Sequence, residues 1–215
     1  MILNAFKFAF RNIRKNKLLA SINVLGLTIG ISACMVIFLI ASYELSFDRF
    51  HSDGNRIYRI YTRFTGVFTG INRGVATGFT SGVRDNFAGV ESVANFHTFS
   101  HKVFVPDGKS EPKEFESGTV GIFSGPEYFD VFSFNTWLIG DPKSSLTEPS
   151  KVVLTESRAR TYFGNIPLAD MIGREIIYRD SIQTTVSGIL QDFKENSDFN
   201  FTEYISIATN DKLGE

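Results

Sequence analysis

"GLTIGISAC", residues Gly26–Cys34, lies inside an uncharged stretch, and its reading decides where the rest of the chain sits. Gly26 and Gly30 have the small-xxx-small spacing of packed membrane helices. Ile31-Ser32-Ala33-Cys34 also fits the pattern at which a bacterial lipoprotein signal is cut before a lipidated cysteine. A cleavable signal, however, has a short apolar core followed by polar mature sequence. Here "MVIFLIA" follows Cys34, so the apolar run continues well past any such cut. The stretch is the middle of a longer apolar helix, and neither cleavage nor lipidation is expected.

Working outward, no charged residue occurs from Leu18 to Tyr43. At 1.5 Å per residue this run reaches about 39 Å, against roughly 30 Å for a hydrocarbon core. It spans a bilayer with some tilt or with its ends among the headgroups. One face carries Asn23, Gly26, Gly30 and Ala33, small or weakly polar residues that let a second backbone approach, so these four are the expected helix-packing residues. Lys7, Arg11, Arg14, Lys15 and Lys17 precede the span, and no acidic residue occurs before Glu44. These five are expected to set the topology, holding the N-terminus in the cytoplasm and sending the rest outside. In a bacterium the outer side is the periplasm. Between the basic residues, Leu3, Phe6, Phe10 and Ile13 recur at helical spacing, which predicts an amphipathic helix in the inner interface over 1–17.

The remainder is ordinary globular sequence. The chain of 215 residues is 43% hydrophobic and 21% charged with a net charge of −1. Beyond the span, 17 basic residues face 23 acidic ones, which gives no nucleic-acid footprint. The single cysteine lies in the span, a usage compatible with an oxidising compartment.

Local patterns predict a mixed α+β domain rich in hairpins. Arg56 to Phe64 alternates like a strand, and the glycines between Gly66 and Gly78 predict a loop or irregular strands. Thr80 to Asn86 reads as a short helix, and Ser92 to Val105 as a strand pair broken near Ser100. Pro106-Asp107-Gly108-Lys109 reads as a turn, with Lys113 to Phe123 returning as strand. Pro126 opens a helix that buries Phe129 and Phe132. Lys151 to Leu154 is a strand, and Thr155 caps a helix that Gly164 ends. Arg174 to Tyr178 and Gln183 to Leu190 form a hairpin turning at Asp180-Ser181. Phe199 to Ile207 reads as a final strand with no following partner.

Catalytic and ligand motifs are weak. Gly108-Lys109-Ser110 lacks the glycine a phosphate loop needs, since Val103 stands there, and it joins strand to strand. Gly118, Gly121 and Gly125 lack the strand-to-helix setting of a dinucleotide fingerprint. His97 and His101 have helical metal spacing, but on a strand such residues lie about 13 Å apart. Asp48 and His51 could share a helical turn, yet no nucleophile is indicated beside them. No Gly-x-Ser-x-Gly elbow occurs. The sequence therefore offers no catalytic, cofactor-binding or metal residues, and an enzyme is not expected.

Five segments, in order, carry a family resemblance: "FKFAFRNIRKNK" leading into "NVLGLTIGISA", then "YELSFDRFHSDGNRIYRI", "YFDVFSFNTWLIGDPKSSLTEPSKVVLTESRARTYFG" and "VSGILQDFKENSDFNF". Together they resemble the N-terminal part of MacB/FtsX-type ABC transporter permeases with the MacB-like periplasmic core domain. Where relatives often carry "P-x-N-S-H", this chain has Lys194-Glu195-Asn196-Ser197-Asp198, which puts the local turn in question. The resemblance implies an interfacial helix over 1–17, a transmembrane helix over 18–43, and a periplasmic core domain over 44–215 that is incomplete at its C-terminus. Relatives have further spans after that domain. It also implies a bacterial inner-membrane location and a permease homodimer or paired permease. A separate ABC ATPase would bind the ATP. The periplasmic domain would pass on ATP-driven motion for export, lipoprotein extraction or activation of a periplasmic partner. The same architecture also admits a single-pass membrane adaptor whose outer domain binds a periplasmic protein or ligand.

Overall fold

The computed structural model describes residues 7, 10–11, 13–51, 53–67, 69–76, 78–100, 102–108, 111–115, 121–132, 136–179 and 181–213, without the side chains of 211–213. The chain divides into two compact units, Met1–Phe47 and Asp48–Glu215.

In the first unit, residues 7, 10–11 and 13–15 are helical, and Asn16 makes a bend. Leu3 and Phe6, half of the expected apolar stripe, lie outside the described residues. Helix α1 follows, Lys17–Glu44, 28 residues with none of them buried. It is long and apolar enough to cross a membrane, and at 1.5 Å per residue it measures about 42 Å.

The second unit opens with a single 3-10 turn, Gly54–Arg56. The strand expected from Arg56 begins only at Thr62: β1 is Thr62–Phe64, and it pairs antiparallel with β2, Gly70–Asn72, as an isolated hairpin. Helix α2, Phe79–Asn86, follows, then β3, Phe96–Phe99, and β4, Val103–Val105.

The expected β3–β4 pairing does not form. β3 joins β6, Gly121–Ser124, whereas β4 joins β5, Lys113–Phe115, and β9, Glu175–Tyr178. The break near Ser100 therefore sends the two strands to different parts of one sheet. The expected strand over Lys113–Phe123 is likewise shared between β5 and β6. Helix α3, Glu127–Val131, and β7, Trp137–Ile139, precede β8, Lys151–Thr155. Helix α4 is Glu156–Phe163, and β10, Ile182–Leu190, returns from β9 as the expected hairpin. β11, Glu203–Ser206, and α5, Ala208–Leu213, complete the order.

The nine-stranded sheet runs β3-β6-β11-β8-β10-β9-β4-β5, with β7 beside β10. β11, which local reading leaves without a partner, occupies an interior place: it runs parallel to β6 and antiparallel to β8. The register explains its burial. Tyr204 stands opposite Val153 and Ile122, and Ile205 opposite Val152 and Phe123. Alternate residues face opposite sides of a sheet, so Val152, Ile205 and Phe123 join one core with Ala159 and Tyr162 of α4. Val153, Tyr204 and Ile122 join the other with Tyr128 and Phe129 of α3. Burying each such aliphatic side chain contributes about 1.5–3 kcal/mol. A register shift between Val186 and Gly188 keeps Val186 and Ile189 on one core despite their odd spacing. Glycine is required where β7 crosses β10: a Cβ on Gly188 would overlap the Trp137 ring, and Gly140, at φ +98°, abuts the Gly188 backbone.

Candidate functional site

On α1, Asn23, Gly26, Gly30 and Ala33 are all exposed, and a Cβ added at either glycine would meet no atom within 4 Å. The small face is thus open to another helix. Cys34 is a free, exposed thiol on the same helix. Lys7, Arg11, Arg14, Lys15 and Lys17 are exposed, with the Arg14 guanidinium over the Phe10 ring at 5.8 Å.

The second unit begins with a fastening that local patterns do not reveal. Asp48 adopts φ +55°, and its backbone N–H donates to the Asn196 carbonyl at 3.0 Å. The Ser197 hydroxyl donates to the Asp48 carboxylate at 2.6 Å, and its oxygen accepts from the Phe199 N–H at 3.0 Å. His51, its side chain 5% exposed, lies 4.2 Å from the Phe50 ring and 5.6 Å from Phe132. Burial lowers the His51 pKa, opposed by the Asp48 carboxylate 4.0 Å away, so the ring favours its neutral form. Ile57 packs on the Tyr128–Phe201–Tyr204 core, and Arg59 stands over Phe199 at 5.8 Å. The fastening falls within the stretch that departs from the relatives' "P-x-N-S-H" pattern at Lys194 and Asp198, but it does not use those two positions. Asn196 and Ser197, which the two patterns share, supply its polar contacts. Asp48 and His51 do come together, in a packed joint where the adjoining Ser197 hydroxyl donates to the Asp48 carboxylate.

A second polar cluster is buried beneath α4. Glu203 on β11 accepts from the Tyr162 hydroxyl at 2.7 Å and from Arg158 Nε, while the Arg158 guanidinium lies 4.8 Å from the Tyr162 ring. Burial first, and then the Glu203 carboxylate, raises the Tyr162 and Tyr178 phenols well above their ordinary values. They remain protonated, and Tyr162 acts as donor. With Glu203 2% exposed and Arg158 12%, the cluster ties β11 to α4 rather than facing a substrate. Thr155 stands at the N-cap of α4 but makes no capping bond. Asp192, at the end of β10, accepts from the Ser157 N–H at 3.1 Å and from its hydroxyl at 2.5 Å. A carboxylate supplied from a neighbouring strand replaces the expected local cap.

Of the other candidates, His97 stacks on Phe123 at 4.9 Å, and His101 lies outside the described residues. Gly108, at φ +72°, turns β4 toward β5; Lys109 and Ser110 are outside the described residues, as is Gly118. Gly121 and Gly125 are buried at β6. Among the described residues no three His, Cys, Asp or Glu side chains gather as a metal site.

The family model of the MacB-like periplasmic core domain matches residues 20–213. No curated protein matches the chain. Among solved structures it is similar to the periplasmic region of MacB from Actinobacillus actinomycetemcomitans, with 20% identity, 64% of this chain and 58% of that chain covered, and a TM-score of 0.48. It is also similar to a domain of a protein described as a permease from Porphyromonas gingivalis. There the identity is 20%, with 66% of this chain and 56% of that chain covered and a TM-score of 0.51. The chain thus spans under three fifths of either relative, and the second likeness concerns the fold alone. With the family model covering almost the whole chain, and an apolar helix leading into a sheet-rich α+β domain as observed, the chain belongs to the MacB-like periplasmic core domain family, the outer-domain family of ABC transporter permeases.

Proposed function

We propose that this chain is the anchored outer part of a permease that turns ATP-driven motion in the membrane into motion of a periplasmic domain. The observation that carries this reading is an apolar helix long enough to cross a membrane, followed directly by a sheet-rich domain whose first residues are fastened within it through Asp48 and Ser197. In this reading α1 crosses the bacterial inner membrane, and Lys7, Arg11, Arg14, Lys15 and Lys17 hold the N-terminus in the cytoplasm. Asn23, Gly26, Gly30 and Ala33 receive another span, from the same permease or its dimeric partner. ATP is bound by a separate ATPase subunit. Export, lipoprotein extraction and activation of a periplasmic partner are all served by the same motion.

The test is a distance measurement in the permease that carries this domain, reconstituted with its ATPase. Spin labels at Lys143→Cys in both protomers, in a Cys34→Ser background, should change separation when ATP binds. Asp48→Gly with Ser197→Ala should blunt that change while ATP binding persists. A separation indifferent to ATP in the parent protein would rule the reading out.

A further inference from the structure

The β1–β2 hairpin stands apart from the nine-stranded sheet, and its strand residues are exposed or half-buried. A two-stranded hairpin alone in water is marginal and gains from a surface that covers it. Its composition points to the kind of surface. From Arg56 to Arg73 there are four arginines and no acidic residue, whereas the rest of the chain beyond Tyr43 holds 13 basic and 23 acidic residues. Tyr58 and Val67 are 83% and 96% exposed, and Tyr61, Phe64 and Ile71 are exposed as well.

The pairing arranges these residues. Arg63 stands directly opposite Ile71, so the two share a face. By strand alternation Tyr61 and Arg73 extend that face, and Val67 lies at the tip of the turn. Among the described residues only Arg56 of the four arginines sits in an ion pair, with Asp53 and Glu91. Aromatic rings interleaved with arginine suit the membrane–water interface, where rings rest at headgroup depth and guanidinium groups meet phosphate. Eleven residues separate Glu44 from Arg56, so the twelve steps span at most about 40 Å of extended chain.

We propose that the β1–β2 hairpin and its flanking residues lie on the outer surface of the membrane that α1 crosses and bind anionic phospholipid headgroups through Arg63 and Arg73, with the exposed aromatic and aliphatic side chains at the interface. The occupant is the bilayer itself: the hairpin's charge is opposite to that of anionic lipid, and its apolar residues alternate with charge instead of forming one continuous patch. This goes beyond the transport reading but rests on α1 as a membrane anchor.

The test uses the full chain in vesicles. Val67→Cys, in a Cys34→Ser background, carries a fluorophore, and phosphatidylcholine with a nitroxide on its headgroup serves as quencher. In vesicles with about one third phosphatidylglycerol, quenching at position 67 should exceed that at a Glu148→Cys control severalfold. It should weaken in pure phosphatidylcholine and in high salt, which shortens the screening length from about 30 Å at 0.01 M to about 3 Å at 1 M. Arg63→Glu with Arg73→Glu should reduce quenching about tenfold, while Arg63→Lys with Arg73→Lys retains most of it. Protein that floats with the vesicles but shows equal, salt-independent quenching with and without phosphatidylglycerol overturns the proposal while leaving the anchor intact. Quenching unaffected by the double glutamate variant overturns it too. Protein that fails to float overturns both the anchor and the hairpin proposal.

Discussion

Replacing Ser197 by alanine should loosen the start of the outer domain without unfolding the sheet. The hydroxyl removed donates to the Asp48 carboxylate at 2.6 Å. A hydrogen bond to a charged group is worth about 1.5–3 kcal/mol when shielded. Asp48 is 37% exposed, and water can replace part of the lost contact, so about 1 kcal/mol is the expected cost. That corresponds to about a fivefold rise in the open population. The reporter is the Asp48 amide, which donates to Asn196, followed by hydrogen exchange over residues 48–57 of the full chain in nanodiscs. Asp48→Gly removes the acceptor while tolerating φ +55°, a conformation that alanine would adopt only under strain. A double-mutant cycle between the two changes then isolates the pair, because the backbone cost of glycine cancels. A coupling of about 1 kcal/mol, with protection of β8 and β11 unchanged, is the expected result. A coupling near zero, or equal loss of protection in the central strands, would refute the fastening as a local joint.

The pH dependence of the same joint follows from His51. Its folded pKa is lowered by burial, so the unfolded or opened chain binds the extra proton. Stability from the neutral ring is therefore present above the ordinary value of about 6.5 and is lost as pH falls below it. Exchange over 48–57, corrected for its intrinsic rate, should rise on acidification, and His51→Leu should flatten the profile. Glu203→Ala should cost about 3–5 kcal/mol, since Arg158 and Tyr162 lose their buried partner; thermal unfolding should fall by about 10 °C. In α1, Gly26→Leu with Gly30→Leu should leave membrane insertion level but sharply reduce crosslinking through cysteines at Asn23 or Ala33. Equal crosslinking would make the helix a plain anchor and favour the single-pass adaptor.

What the sequence displays and what it hides divide by distance along the chain. The uncharged run, the β9–β10 hairpin and the helix ending at Gly164 depend on neighbours within a few residues, and all three are visible in hydropathy, turn residues and glycine. Strand order is not visible in this way. Nothing near Ser100 indicates that β3 and β4 part company, because their partners β6 and β9 lie far along the chain. Glu203 has the wrong polarity for a buried strand until Arg158 is placed 45 residues away against it. Thr155 looks like the cap of α4 because Asp192, 35 residues beyond Ser157, is hidden from a local reading. The Asp48–Ser197 contact spans 149 residues. The departures from the relatives' pattern at Lys194 and Asp198 mark the turn, and nothing in them marks Asp48 as its partner.

The length of the joint bears on how the protein works. Only Leu45, Ser46 and Phe47 separate the last residue of α1 from Asp48, where bonding to the sheet domain begins. Fully extended, the four steps from Glu44 to Asp48 reach about 14 Å. A Gly/Ser tether of that reach would absorb a displacement before passing it on. Here Leu45 N–H donates to the Ala41 carbonyl and Ser46 N–H to Tyr43, and the Phe47 ring meets Tyr43 at 5.2 Å. The three residues are thus held to the helix end. Beyond them, the Asp48 bonds, the His51 stack and Ile57 each attach the chain to the second core or to the turn at Asn196. A displacement of Asp48 itself must therefore either be carried by the sheet domain or break the Asp48–Ser197 bond. The Ser197→Ala variant is the one in which the second outcome becomes cheaper, so it should lose transmitted motion before it loses fold.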